Sequence, residues 1–170
     1  MGCGKGRFLL ARAAAHPEVN FLGVDRLLGR IQKVDRKACR LGLSNARLLR
    51  MDGFYATTYL VPPLSVRAYH LFFPDPWPKT RHHYHRLFNE PYMEALHRTL
   101  LPGGAVNLAT DHLPYFAEIV AILAEDPRFE PLPAFVPAEA EVTDFELLFR
   151  GQKPIGRCSF RKRPAGGLSA

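Results

Sequence analysis

Short apolar runs alternate with longer amphipathic segments along the chain. The apolar runs predict strands at residues 20–24, 46–51, 66–73, 105–110 and 157–161, with a further strand near 146–150. The amphipathic segments predict helices at residues 8–15, 27–41, 91–100 and 114–125. Residues 53–64 follow neither pattern. Strands that alternate with helices predict an α/β fold with a doubly wound, mostly parallel sheet.

Size and composition favour one domain. The chain has 170 residues, of which 47% are hydrophobic, enough to bury a full core. We expect a single domain over residues 1–163 and a disordered tail over residues 164–170. The sequence shows neither a membrane span nor a signal peptide. Cys3, Cys39 and Cys158 lack metal-type spacing, which favours a reduced, cytoplasmic protein without disulfides or a zinc site.

A glycine-rich segment, Gly2-Cys-Gly-Lys-Gly6, precedes the first predicted helix. Alternating glycines let backbone amides approach a ligand closely at a helix N-terminus. The segment is not the G-x-G-x-x-G dinucleotide fingerprint, because Arg7 stands at the position of the third glycine. Such a loop normally follows a strand, yet the chain begins at Met1. We therefore expect the first strand of the sheet to be missing, together with an N-terminal segment.

Four aspartates each follow a predicted strand: Asp25, Asp52, Asp75 and Asp111. In a doubly wound sheet the carboxyl ends of the strands face one crevice, where ligands bind. Aspartates are also common as turn formers and helix caps, which would account for one or two of them. Beside the glycine loop, Asp25 suits a nucleoside cofactor by accepting both ribose hydroxyls. Asp52 could then accept from an adenine amino group.

The most informative segment lies between Phe72 and Lys79. Three of its residues are prolines, which lack an amide donor and fix φ: Pro74, Pro76 and Pro78. The segment is therefore predicted to be a stiff loop rather than a helix or a central strand. It carries the carboxylate of Asp75, the chain's only tryptophan, Trp77, and the Lys79 ammonium. A stiff loop can hold such groups in place for binding or catalysis, and Trp77 either stacks on a base or packs inward.

The formal net charge is +7, which favours a polyanionic partner such as nucleic acid. Basic residues crowd the end of the proline loop and the C-terminal region: Lys79, Arg81, Arg86, Arg157, Arg161, Lys162 and Arg163. Arg81 and Arg86 are most simply contacts to phosphates. The nearby His82, His83 and His85 are not predicted to bind a metal, because no carboxylate or cysteine completes a ligand set.

From Gly2 to about Phe160 the chain resembles the bacterial tRNA (guanine-N7-)-methyltransferases, which are class I S-adenosylmethionine-dependent enzymes. The most specific motif is Phe73-Pro-Asp-Pro-Trp-Pro-Lys79, followed by Arg81-His-His83. The supporting motifs are Gly2-Cys-Gly-Lys-Gly6, Leu101-Pro-Gly-Gly104, Ala109-Thr-Asp111 and Thr143-Asp-Phe-Glu146. The resemblance implies a Rossmann-like fold and transfer of a methyl group to N7 of the guanosine at position 46 in the variable loop of tRNA.

The resemblance also implies roles for individual residues. Asp75 would be the catalytic carboxylate, lying between the cofactor and the base. S-adenosylmethionine would be bound by Gly2, Gly4, Asp25, Asp52 and Asp75. The tRNA would be contacted by Lys79, Asp111, Thr143, Asp144, Phe145 and Glu146.

Three departures from the family pattern stand out. The family's acidic residue two positions before the first glycine would precede Met1, which bears on cofactor binding. Tyr84 and His85 interrupt a run that is usually basic. Asp144 stands where a lysine or arginine is usual. The last two departures imply a weaker or differently arranged grip on phosphate.

Other functions stay open on the residues alone. A nicotinamide-dependent oxidoreductase would use a similar sheet, but Arg7 and the acidic, aromatic loop count against it. A non-catalytic RNA-binding module derived from a methyltransferase is kept open by the missing first strand. Methylation of a small molecule or a protein fits the fold but leaves the basic clusters without a role.

Overall fold

A computed structural model describes residues 1–164. These residues form two compact units, one made of Met1–Ala56 with Val136–Lys153 and the other of Thr57–Phe135 with the residues from Pro154 onward. The single domain expected over residues 1–163 stays a prediction, and of the expected tail all but Pro164 lies outside the described residues. Within residues 1–164, no helix combines the length and the apolar character that crossing a bilayer requires.

Helices and strands alternate along most of the described chain. Their order is α1 Arg7–Ala15, β1 Phe21–Asp25, α2 Leu28–Arg40, β2 Ala46–Arg50, α3 Gly53–Tyr55, β3 Val66–Phe72, α4 Glu90–Thr99, β4 Leu100–Thr110, α5 Leu113–Glu125, β5 Phe129–Leu132, α6 Asp144–Phe149 and β6 Gly156–Lys162. A π-helical turn occupies Ala56–Leu60, and 3₁₀ turns occupy Thr80–His85 and Glu139–Glu141. The predicted α/β class is confirmed.

Each unit holds one sheet. In the first unit β1 pairs in parallel with β2, from Phe21 opposite Ala46 to Asp25 opposite Arg50. In the second unit the strand order is β3-β4-β6-β5, with β3 parallel to β4 and the two remaining pairs antiparallel. In the described part of the chain, no strand precedes α1.

One predicted strand is wrong, and one strand of the structure was not predicted. The strand expected near residues 146–150 is the helix α6, because the Thr143 hydroxyl accepts the Glu146 amide and so caps a helical turn. The strand β5 was not predicted, since Pro131 interrupts its apolar pattern. In the structure β5 is an edge strand, where a proline is tolerated.

The core of the first unit lies between α1, α2 and the start of β2. Its buried side chains are those of Leu9, Leu10, Ala13, Val34, Ala38 and Ala46. Gly6 ends the glycine loop in the left-handed region at φ 82°. A Cβ atom on Gly6 would lie 2.6 Å from Cγ1 of Val34, so α1 can pack against α2 only with a glycine here.

We expect Gly6→Ala to lower the free energy of unfolding by about 2–5 kcal/mol, because a left-handed backbone and an overpacked contact both become unfavourable. Gly42→Ala is the matched control: Gly42 also has a positive φ of 66°, but a Cβ there would meet no described atom within 4 Å. Gly42→Ala should lower the free energy of unfolding by only ~1–2 kcal/mol. Urea denaturation of both variants measures the difference, and equal costs would show that the contact with Val34 is unimportant.

Candidate functional site

The glycine loop leaves two of its residues open to approach. Gly2 and Gly4 have φ values of 69° and 57°, which glycine adopts without strain. Within residues 1–164, no atom lies within 4 Å of a Cβ built on Gly2, and a Cβ on Gly4 would meet only the Gly2 carbonyl oxygen, at 3.9 Å. Gly6 is required by helix packing, whereas Gly2 is exposed and Gly4 is half-buried with its amide bonded to Asp25. This geometry suits close approach of a ligand to the loop.

Asp25 lies at the end of β1 and is only 4% exposed. One carboxylate oxygen accepts the Gly4 amide and the other accepts the Leu27 amide, each at 3.0 Å. Arg30 Nη1 lies 3.5 Å from the first oxygen. The carboxylate therefore ties the glycine loop to the start of α2. A ribose hydroxyl can reach it only through the remaining lone pairs or after the Gly4 amide has moved away.

Asp52 is more accessible than Asp25. It follows the end of β2 by two residues, and its side chain is 48% exposed. Its Oδ1 atom accepts the Tyr55 amide at 3.1 Å, which caps α3. Because β1 and β2 are parallel and Asp25 is opposite Arg50, the two aspartates lie at the same end of this sheet. The predicted cofactor residues of the first unit thus share one edge.

The segment from Val136 to Lys153 is fixed to α1 by two arginines. Arg7 Nε donates to the Val142 carbonyl oxygen at 3.0 Å, and Arg12 Nη1 donates to Glu141 at 3.2 Å. Arg7, which replaces the third glycine of the dinucleotide fingerprint, therefore has a structural contact of its own. This contact holds the backbone next to Thr143, where the predicted tRNA-binding segment begins.

The four residues of that segment form the start of α6. Thr143 uses its hydroxyl as the helix cap, and Asp144 and Glu146 lie in the first turn. Phe145 is 39% exposed. Arg150 donates to both oxygens of Glu139, at 2.8 and 2.9 Å, which ties the far end of α6 to the preceding turn. The contact of these residues with tRNA stays a prediction.

In the second unit, residues 73–79 form an irregular loop, as predicted. The Phe73 amide donates to the Ala109 carbonyl oxygen at 2.7 Å and so extends the pairing of β3 with β4 by one bond. Phe73 and Trp77 have φ values of 53° and 44°, in the left-handed region, and each precedes a proline. Side chains other than glycine occupy this region at a cost, so the loop is strained at both positions.

The carboxylates of the second unit also share one end of a sheet. Asp75 lies three residues beyond the end of β3, and Asp111 directly follows β4. The parallel register, with Phe72 opposite Ala109, brings both strand ends to the same edge. Asp75 is exposed and Asp111 is half-buried. The residue after Asp111 is His112, whose Nδ1 accepts the Tyr115 amide at 3.1 Å and caps α5. The sequence analysis did not predict this contact.

Trp77 packs against histidines of the same loop region. Its half-buried ring lies 4.7 Å from the ring of His85 and 6.0 Å from that of His82, measured between centroids. The ring thus packs against neighbours in the loop region, and its stacking on a base stays a prediction. The histidines form part of this aromatic group, and the described residues contain no group of three or more His, Cys, Asp or Glu side chains arranged to hold a metal ion.

The basic residues after the loop differ in their surroundings. Lys79 and Arg81 are exposed, as a phosphate contact requires. Arg86 is only 7% exposed: its Nε donates to the Pro76 carbonyl oxygen at 2.9 Å, and its Nη1 pairs with Glu118. The expected phosphate contact of Arg86 is corrected on this ground, because its guanidinium is buried against protein acceptors.

The cysteines are free thiols in the described structure. Burial and the nearby Asp25 carboxylate raise the pKa of the Cys3 thiol to about 11, because both disfavour the thiolate. Burial raises the pKa of Cys158 to about 11 as well. Both thiols are therefore mainly protonated near neutral pH, so Cys3 does not offer the glycine loop a thiolate nucleophile.

Known proteins resemble this chain over most of its length. A family described as "Putative methyltransferase" matches residues 1–146. A tRNA (guanine-N(7)-)-methyltransferase of Sodalis glossinidius is 35% identical over 158 residues, which cover 90% of this chain and 65% of that protein. One from Leifsonia xyli subsp. xyli is 40% identical over 158 residues, covering 90% and 69%. The chain spans about three fifths to two thirds of the length of curated relatives that it matches.

Solved structures agree on the fold. The 16S rRNA (adenine(1408)-N(1))-methyltransferase of Catenulisporales acidiphilia, solved with its cosubstrate SAM, superposes with a TM-score of 0.64 at 16% identity, covering 99% of this chain and 86% of that one. The predicted Rossmann-like methyltransferase fold is thereby confirmed. Together with the family match and the identities to curated relatives, this shows that the chain belongs to the bacterial tRNA (guanine-N7-)-methyltransferase family.

Proposed function

We propose that the protein transfers a methyl group from S-adenosylmethionine to N7 of a variable-loop guanosine in tRNA, in the cytoplasm. The observation that carries the proposal is the proline-stiffened loop, which presents Asp75 at the same sheet edge as Asp111 and is followed by the exposed Lys79 and Arg81. The family of the chain supports the substrate and the cofactor.

The chemistry asks mainly for alignment. Guanine N7 has a free lone pair at neutral pH, so the enzyme needs no base to make it a nucleophile. S-adenosylmethionine supplies, when bound, an electrophilic methyl group on a sulfonium. Holding two reactants in line can account for ~7–11 kcal/mol of a barrier. A stiff loop is suited to this task because little of its freedom remains to be lost on binding.

Asp75 is assigned the catalytic position. Guanine carries N1–H and N2–H donors on the edge away from N7, and one carboxylate can accept both. This contact would fix the base and discriminate against adenine, which lacks that pair of donors, by ~1–3 kcal/mol. The negative charge also offsets the positive charge that develops on the purine as N7 is methylated. Asp111, at the same sheet edge, is a further acceptor for the same base.

The cofactor is assigned to the glycine loop and the neighbouring aspartates. Gly2 and Gly4 leave space for a ligand beside the loop, and Asp52 offers a carboxylate that is about half exposed. Asp25 accepts a ribose hydroxyl in this proposal through the lone pairs that the Gly4 and Leu27 amides leave unused, or after the Gly4 amide has moved away. In the second unit, Asp75 is a further residue that we propose for the cofactor. These residues fit a nucleoside with hydroxyl and amino donors.

The tRNA backbone is assigned to exposed cations. Lys79 and Arg81 contact phosphates beside the proline loop, and Thr143, Asp144, Phe145 and Glu146 contact the substrate from the start of α6. Phosphate contacts by lysine and arginine release counterions, so binding weakens as salt rises. Arg86 is not part of this surface.

We expect Asp75→Ala to lower methyl transfer by about 10²-fold or more, since a pre-positioned charge at the reacting base is lost. Affinity for S-adenosylmethionine, measured by calorimetry, should stay within a few-fold. The assay incubates unmodified tRNA with the protein and cofactor and quantifies 7-methylguanosine by mass spectrometry. Asp35→Ala, which removes an exposed carboxylate from α2, should retain full activity. Near-normal turnover in Asp75→Ala would show that the role assignment is wrong.

We expect Lys79→Ala to weaken tRNA binding and to reduce the slope of log K against log salt by about 1, the change for one lost phosphate contact. Filter binding of tRNA at several salt concentrations measures both quantities. Lys33→Ala, which removes an exposed lysine from α2, should leave the slope unchanged. An unchanged slope in Lys79→Ala would exclude this lysine from the RNA contact.

A further inference from the structure

The proline loop has few backbone amides with which to form hydrogen bonds of its own. Three of its amide donors are absent, at Pro74, Pro76 and Pro78. Its beginning is fixed by the bond from the Phe73 amide to Ala109, and a 3₁₀ turn over Thr80–His85 follows its end. Yet Phe73 and Trp77 are both in left-handed conformations that need outside support.

In the middle of the loop, one buried arginine supplies such support. Arg86 ends the 3₁₀ turn, and its side chain reaches back ten residues to donate from Nε to the Pro76 carbonyl oxygen at 2.9 Å. Pro76 lies between Asp75 and Trp77, so the bond fixes the backbone next to the candidate catalytic carboxylate. The same guanidinium pairs with Glu118 through Nη1 and lies 4.8 Å from the centre of the Tyr115 ring.

Glu118 and Tyr115 both belong to α5, the helix that follows Asp111. Arg86 therefore links the loop that carries Asp75 to the helix that begins beside Asp111. A buried guanidinium without a partner is strongly unfavourable, so the contacts of Arg86 reinforce one another. The planar fork of arginine supplies donors in two directions at a fixed angle, which a lysine ammonium does not.

We propose that Arg86, held by Glu118 and Tyr115, is a positioning residue that sets the place of Asp75 relative to Asp111 during methyl transfer. The inference rests on the proposed function for its catalytic consequence. It predicts that losing the Arg86 contacts lowers kcat while leaving the KM for S-adenosylmethionine nearly unchanged. Misplacement of a reacting group by about 1 Å can lower a rate by 10²-fold.

The test uses Arg86→Gln, Arg86→Lys and Glu118→Gln, with Arg161→Gln as a matched control. Arg161 is a half-exposed arginine on β6 that pairs with Glu130. Its substitution therefore removes an ion pair outside the loop. We expect kcat to fall by about 10²-fold in Arg86→Gln, less in Arg86→Lys and Glu118→Gln, and not in Arg161→Gln. Thermal melting of each variant reports folding separately.

A second readout does not depend on activity. Trp77 is the only tryptophan of the chain and lies in the loop, so acrylamide quenching of its fluorescence reports loop order directly. Quenching should rise in Arg86→Gln and stay at the wild-type level in Arg161→Gln. If the wild-type protein transfers no methyl group to tRNA, the proposed function fails, and the quenching result alone decides the inference.

The inference is overturned if folded Arg86→Gln shows wild-type quenching, or wild-type kcat in an active enzyme. If Arg86→Gln does not fold, Glu118→Gln decides in its place, because the Glu118 side chain is 39% exposed and tolerates substitution. The inference is also overturned if Arg161→Gln loses as much kcat and melting temperature as Arg86→Gln. The effect on kcat would then come from general destabilisation.

Discussion

The loop between Phe73 and Lys79 lacks three amide donors and must therefore be held by contacts with surrounding residues. This constraint determines where the candidate active site places Asp75. The prolines remove local conformational freedom between Phe73 and Lys79, but they also remove the hydrogen bonds that would otherwise close the loop. The backbone is held at its start by Ala109 and in its middle by Arg86. The position of Asp75 follows from these two contacts, neither of which involves the carboxylate itself.

Strand pairing explains why carboxylates recur at corresponding places. In each unit two parallel strands end at one edge, and an aspartate follows or ends each strand: Asp25 and Asp52 in the first unit, Asp75 and Asp111 in the second. In the first pair Asp25 accepts the Gly4 and Leu27 amides and so orders the glycine loop, whereas Asp52 caps α3 and stays about half exposed. In the second pair Asp75 is exposed on a rigid support. In our proposal the aspartates of the first sheet also contact the cofactor, and those of the second contact the substrate.

Features set by neighbouring residues were predictable from sequence. The alternation of strands and helices, the stiffness of the proline loop and the aspartates at the strand ends all follow from local pattern. The role of Arg86 was not predictable, because Glu118 lies 32 residues further along the chain and a basic run suggests solvent contact. Likewise, the apolar residues Leu147 to Phe149 suggest a strand until the Thr143 cap is considered. Pro131 interrupts the apolar pattern of β5, so this edge strand was not predicted.

The central claim is that Asp75 accepts hydrogen bonds from N1–H and N2–H of the target guanine. Replacing that guanosine with inosine in an otherwise identical tRNA removes only the N2 amino group, and the ratio of kcat/KM for the two substrates tests the claim directly. The account predicts that the wild-type enzyme prefers guanosine by roughly 5- to 150-fold, equivalent to ~1–3 kcal/mol, and that Asp75→Ala abolishes the preference. The same preference in both proteins would contradict it.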